Sequence, residues 1–261
     1  VRLTVLGKSP AWEDAGGACS GYLVEEGDYT LLIDCGNGVL GKLRERISYR
    51  DLDQILISHI HADHFLDLVP LGYALTLGGP KGTGPGSARE RLPLALPPGG
   101  SEALRTLVAI WGSDKLIDSA YEPSDYDVDG RLELGPLPVR LHEVPHYALT
   151  HAVELIAPSG GRLVYGADCR PSERLERAAE GAELLIAEAT LRNAADEPGP
   201  FERRGHMSAA EAAELAERAG VGRLVLTHFS DQLDPERALA EAEARFSGPV
   251  DLAATGSSWE L

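Results

Sequence analysis

Four side chains of the metal-binding type crowd into one short run. His59, His61, Asp63 and His64 lie within SHIHADH, Ser58 to His64. The run is too polar to continue an apolar strand and too dense in ligand types for an ordinary turn. Histidines two apart on an extended backbone project to the same side, so His59 and His61 serve one point. Asp63 and His64 turn toward a second point nearby. The spacing suits two adjacent divalent ions better than one, with zinc expected and manganese or iron as alternative occupants. The plain alternative is a solvated loop that happens to carry three histidines. That reading suits a single histidine better than a cluster.

The elements that position this run follow from its flanks. LDQILIS, Leu52 to Ser58, is apolar and reads as a buried strand. The histidines therefore stand at a strand's C-terminal end, where open α/β sheets place their chemistry. Upstream, VRLTVL (Val1 to Leu6) reads as a strand. YLVEE and YTLLID form a hairpin about Gly27-Asp28. Asp34 closes that hairpin, placed either to bind a metal or, preferably, to orient a ligand histidine. VLGKLRERI (Val39 to Ile47) has helical spacing, and so does Phe65 to Leu77, with Pro70 near its start. Gly78 to Gly86 reads as a Gly/Pro-rich loop. LPLAL reads as a strand. Ser101 is expected to cap a helix that ends at Gly112. Asp114 to Gly130 resists assignment.

The second half repeats one pattern. LPVRLHEV puts His142 near a strand end, and HAVELIAP is a further strand. GRLVYGAD ends on Asp168, AELLIAEAT carries Glu188, and GRLVLTHF ends near His228. If these strands are parallel neighbours, their terminal groups converge on one rim. Ser208 and Glu211 form a capping box for a helix over Ala209 to Ala219, stopped by Gly220. His206 lies just before that cap. A last helix spans Pro235 to Phe246, and the tail reads as one or two short strands.

At 261 residues the chain can build one large domain with a full core, and its 43% hydrophobic and 25% charged residues are globular values. A formal net charge of -17 opposes a broad phosphate-backbone footprint, so a long nucleic acid is not the expected partner. A small ester meets no such barrier. Cys19, Cys35 and Cys169 are odd in number and form no CxxC pair, which fits a reduced cytoplasm. The start has no signal-peptide pattern, and no run is as long as a membrane span.

Taken together, H-x-H-x-D-H with Asp34, His142, Asp168 and His228 resembles the metallo-β-lactamase superfamily of dinuclear metallohydrolases. The likeness extends through HEVPHYAL, VYGADCRP, IAEAT, GHMSAAEAA and LVLTHF. The EAT and GHMSA segments resemble the ribonuclease Z-like branch, which is similar to certain cyclic-nucleotide phosphodiesterases and arylsulfatases. The resemblance implies an α/β layered fold, an αββα sandwich, forming one hydrolase domain over residues 1–261. It implies that His59, His61 and His142 hold one metal, that Asp63, His64 and His228 hold the other, and that Asp168 bridges them. His146 is the alternative to His142, and His151 reads as a plain strand histidine.

The expected chemistry is hydrolysis by a metal-bridging hydroxide, oriented by Asp63 and Asp168. His206 is placed to protonate the leaving group, with Glu188 holding its tautomer. The expected substrate is a small or nucleotide-derived phosphodiester. An aryl sulfate, lactone or thioester is the alternative, and a non-catalytic metal-binding protein is the reading from another class. A homodimer is the assembly state considered. Two departures from the branch stand out. No long basic insertion follows Asp168 to grip tRNA, and Cys169 stands where the branch carries a hydroxyl residue.

Overall fold

Short apolar runs bounded by turns become the central strands, while edge strands such as YEPSD and SWE are largely polar. The computed structural model describes residues 1–78 and 91–261, so the Gly/Pro-rich loop expected from Gly78 onward lies, past its first residue, outside the described residues. The strands are β1 (Arg2–Gly7), β2 (Gly21–Glu26), β3 (Tyr29–Ile33), β4 (Gln54–Leu56), β5 (Leu92–Leu96), β6 (Tyr121–Asp125) and β7 (Arg131–Leu134). They continue as β8 (Leu137–Val144), β9 (Thr150–Ile156), β10 (Arg162–Tyr165), β11 (Leu184–Glu188), β12 (Leu224–Thr227), β13 (Val250–Leu252) and β14 (Ser258–Glu260).

Among the described residues they form two seven-stranded sheets. One runs β14-β1-β2-β3-β4-β5-β6, the other β13-β12-β11-β10-β9-β8-β7. Both are mixed. β3 to β6 are parallel in the first sheet, and β10 to β13 in the second. Parallel strands send their C-terminal ends to one rim, and that rim carries the site.

Alternation along the strands divides the core into layers. Leu3, Val5, Val24, Ile33 and Leu56 of the first sheet meet Val139, Leu141, Val153, Ile186 and Val225 of the second. The outer face of the first sheet packs under α1 (Val39–Arg44), α3 (Leu68–Leu77), α4 (Gly100–Ala109) and α5 (Leu116–Ala120), with the short α2 (Ala62–Phe65) at its rim. The outer face of the second packs under α6 (Glu173–Ala179), α7 (Ala209–Ala219) and α8 (Pro235–Glu243). This is the αββα sandwich expected from the sequence, with each sheet burying one face on the other.

The local expectations divide. The Ser208/Glu211 capping box is formed, and Gly220 ends α7 in the left-handed region. The helix expected from Phe65 starts earlier and breaks, giving α2 and α3, so Asp63 and His64 sit in a helical turn. Ser101 is not the cap. Gly99, at φ 83, precedes α4, and the Ser101 hydroxyl bonds Asp125 instead. The unassigned acidic stretch contains α5 and β6. No helix among the described residues is long and apolar enough to cross a membrane.

Candidate metal centre

β4 delivers the chain to His59 and His61, and α2 then lifts Asp63 and His64. This turn lies directly on the loop after β3. A Cβ at Gly36 would come within 1.9 Å of the Asp63 carbonyl oxygen, so only glycine permits the approach. Cys35 N–H donates to the His64 carbonyl at 2.7 Å. Three non-glycine residues at strand ends around the site have left-handed backbones: Asp34 (φ 58), Ala167 (φ 52) and His228 (φ 55). Such conformations are sparsely populated and cluster at functional sites. Here they turn the chain sharply where β3, β10 and β12 end.

Among the described residues three overlapping donor groups result: Glu188, His206 and His228 are one, and the other two share Asp168. Of those two, His59, His61, His146 and Asp168 form the first; Asp63, His64, Asp168 and His228 form the second. In the first, His61 Nδ1 lies 3.1 Å from His59 Nε2 and 3.0 Å from His146 Nε2. In the second, Asp168 Oδ2 lies 3.3 Å from His64 Nε2 and 3.2 Å from His228 Nε2. Asp63 Oδ2 is 3.1 Å from His228 Nε2. Asp168 belongs to both of these groups.

The tautomers are set from outside. His64 Nδ1 donates to Asp34 Oδ2 at 2.8 Å, and His146 Nδ1 to the Gly205 carbonyl at 2.8 Å. Ser58 Oγ gives its hydrogen to Asp34 and can then accept from His59 Nδ1 at 3.1 Å. Thr190 Oγ1 gives its hydrogen to Glu188 and can then accept from His228 Nδ1 at 2.8 Å. Each arrangement leaves a bare Nε2 facing the centre, the form in which imidazole binds metals. His64 Nε2 and Asp168 Oδ1 are buried without a hydrogen-bond partner. Orphaned buried donors and acceptors are costly. Divalent ions at these two points would satisfy them, so the residues fit a metal pair.

The electrostatics agree. Burial pushes His146 down to about 4 and also lowers His61. Burial, helped by His64, lowers His59. Neutral imidazole is the ligand form. Burial would lower His64 too, but the carboxylates of Asp168 and Asp34 outweigh it and raise this histidine. Burial would raise Asp63 and Asp168, yet their histidine neighbours hold both well below the carboxylate range. Carboxylates that draw a proton onto a buried imidazole offer a cation the same attraction.

Asp34 therefore orients a histidine rather than joining any donor group. It accepts from Ser58 N–H, Ser58 Oγ, His64 Nδ1 and, at 2.9 Å, Tyr165 Oη. Tyr165 and Thr190 were missed in the sequence. Thr190 stands two residues beyond Glu188, a register that could have revealed it. Glu188, 1% exposed, accepts from Cys169 N–H at 2.7 Å and from Met207 N–H at 3.3 Å. Its carboxylate also faces His206 Nδ1 at 3.0 Å. Burial would lower His206, but Glu188, by charge and hydrogen bond, pushes it up to about 9. Cys169 engages the network through its backbone, while its Sγ reaches only the Gly166 carbonyl at 3.6 Å.

His142 requires correction. Leu137, Val139 and Leu141 of β8 point into the inter-sheet core, so alternation turns His142 to the outer face. There its Nε2 pairs with buried Glu154 at 2.9 Å, beside Arg162. β8 runs on to Val144, and the chain reaches the rim only at His146. The alternation in LPVRLHEV carried that signal. His151 joins none of the donor groups and lies buried in β9, its Nδ1 3.4 Å from Tyr126 Oη.

A cavity of about 410 Å³ opens over the centre, lined by Pro10, Ala11, Trp12, His61, Ala62, Asp63, Asp168, Thr190, His206 and His228. His206 thus faces the same space as the two donor groups that share Asp168.

Residues 29–229 match the family model described as a beta-lactamase superfamily domain. The chain is 32% identical over 260 residues to the probable metallo-hydrolase YhfI of Bacillus subtilis (strain 168), with 100% of both chains covered. The crystal structure of YhfI matches with a TM-score of 0.84 at 30% identity, covering 99% of each chain. Ribonuclease Z of Myxococcus xanthus (strain DK1622) is 31% identical over 307 residues, covering 100% of this chain and 98% of that one. Human tRNase Z, short form, shares the fold with a TM-score of 0.75 at 20% identity, covering 100% and 99%.

Proposed function

This chain belongs to the beta-lactamase superfamily, and we propose that it is a metal-dependent phosphodiesterase acting on a small or nucleotide-derived diester. In this reading His59, His61 and His146 hold one ion, Asp63, His64 and His228 hold the other, and Asp168 is shared. Divalent ions held there, with zinc expected, would supply positive charge for a phosphoryl oxygen and acidify a water enough to attack at neutral pH. Asp63 and Asp168, both held ionised, would orient the attacking water.

The observation that carries the reading is the His206–Glu188 pair beside the two donor groups that share Asp168. An alkoxide leaving group needs a proton in the transition state. With Nδ1 engaged by Glu188, the Nε2–H of His206 is left for the leaving oxygen. The buried carboxylate keeps His206 protonated at neutral pH.

Purified protein should contain two metal ions per chain. It should hydrolyse bis-nitrophenyl phosphate or a cyclic nucleotide faster than an aryl sulfate or a lactone. A single bound equivalent at full loading, or faster cleavage of the sulfate or lactone, would overturn the proposal.

Long RNA is a different matter. The Myxococcus alignment runs over 307 positions against 261 residues here, so 307 − 261 = 46 positions have no counterpart in this chain. With a net charge of -17, the purified protein should trim pre-tRNA poorly. Efficient, salt-sensitive 3′ trimming would contradict this.

A further inference from the structure

The cavity over the donor groups is lined by polar side chains, those of His61, Asp63, Asp168, Thr190, His206 and His228, and by the apolar ones of Ala62 and of the segment Pro10, Ala11 and Trp12. An ester group needs only the polar ones. Trp12 is 47% exposed, so part of its ring is open to contact from the cavity it lines. A cavity of about 410 Å³ lies within the range of about 300–1,000 Å³ typical of small-molecule sites.

The loop that presents Trp12 is braced. Lys8 Nζ, buried beneath it, donates to Asp14 Oδ2 at 2.5 Å, to Asp231 Oδ1 at 2.6 Å and to the Phe229 carbonyl at 3.1 Å. Asp14 also accepts from Ser9 Oγ at 3.1 Å and from Ser230 Oγ at 2.8 Å. These bonds tie the segment before and after Trp12 to the loop that follows His228. The apolar segment is therefore held in register with the donor groups.

We propose that Trp12 is a specificity-determining residue that stacks against a planar ring, a nucleobase in the first instance, on the side of the diester away from the leaving group. The proposal rests on the phosphodiesterase reading for its ester and on the apolar segment Pro10, Ala11 and Trp12 in the cavity lining for its ring. The side chains of Pro10, Ala11 and Ala62 offer no hydrogen bond to a base edge. Recognition by these apolar side chains is thus for the presence of a ring rather than for its identity, as stacking on aromatic side chains generally is.

The test uses two substrates with the same leaving group, thymidine 5′-(nitrophenyl phosphate) and methyl nitrophenyl phosphate. The native protein should prefer the nucleoside ester, mainly through KM. Trp12→Ala should shrink that preference about tenfold, within the range stacking commonly supplies, and Trp12→Phe should keep part of it. Equal loss on both esters, or an unchanged ratio, would overturn the proposal.

A second readout needs no turnover. Trp111→Phe and Trp259→Phe together leave Trp12 as the only tryptophan. Thymidine 5′-monophosphate should then quench its fluorescence saturably, and inorganic phosphate should not. Saturable quenching without cleavage of either diester would sink the phosphodiesterase reading and spare the stacking role of Trp12. Cleavage with no quenching and an unchanged ratio would do the reverse.

Discussion

The first sheet delivers His59, His61, Asp63 and His64 in one run at the end of β4. The second delivers His146, Asp168, Glu188 and His228 singly, each at or just past the end of a different strand. A dense run is fixed by local geometry, since extended backbone and one helical turn aim all four side chains. The scattered set depends on sheet register. Each member is correct only if its strand pairs correctly and ends at the right residue. A two-residue extension of β8 past His142 is enough to pass the role to His146.

The sharpest way to break this comparison is to exchange the two histidines. His146→Ala should lower metal content and bring hydrolysis of every substrate close to background. His142→Ala should keep both ions and full activity, and should cost about 1 kcal/mol of stability, because buried Glu154 keeps Arg162 as a partner. Metal analysis beside a denaturation curve decides it. Metal loss in His142→Ala would reverse the assignment.

His206 tests whether the second sheet supplies chemistry as well as ligands. General acid catalysis is worth about 10²–10⁴-fold. His206→Ala should lose about that much on a diester with an alkyl leaving group and much less on bis-nitrophenyl phosphate, with metal content unchanged. Glu188→Gln should show the same bias more weakly. Equal losses on both substrates, or lost metal, would make His206 a ligand or a positioning residue.

Asp34 probes the dense run from behind. Asp34→Asn weakens the acceptor for His64 Nδ1, and such outer partners commonly contribute about 10–100-fold in metal affinity. A chelator competition that shows no change would mean that the run holds its geometry unaided.

The smallest effect concerns the bend before Asp168. A left-handed non-glycine residue costs on the order of 1–3 kcal/mol. Ala167→Gly relieves that strain but loses a buried methyl and adds backbone freedom, roughly 0.8 and 0.5–1 kcal/mol. It should therefore stay within about 1 kcal/mol of the native protein. Ala167→Val, β-branched at the same φ, should be clearly less stable by thermal melting.

How much of this was legible follows the same division. The run at β4, the strand ends carrying Asp168, Glu188 and His228, and the capping box of α7 could all be read, because each rests on short-range pattern. His146 was displaced by a family pattern that outweighed the alternation of β8. Tyr165 was invisible because its role arises from a contact between distant segments, with Asp34 across 131 residues, while Thr190, which meets His228 across 38, was marked only by its register with Glu188. The side chain of Ser101 is drawn away from capping for a similar reason. Its hydroxyl was claimed by Asp125, which only the pairing of β5 with β6 brings near.

Asp63 and His228 face each other across 165 positions of chain. During synthesis β1 to β6 leave the ribosome first, and β14, which completes their sheet, leaves last. The growing chain thus displays a nearly complete set of imidazoles long before the strand that closes the centre exists. His59, His61, His146 and Asp168 are all in the chain once β10 and the turn after it have been made, whereas the group that needs His228 waits for β12. The order of the genetic message thus makes the donor group that needs His228 a late acquisition of the nascent chain.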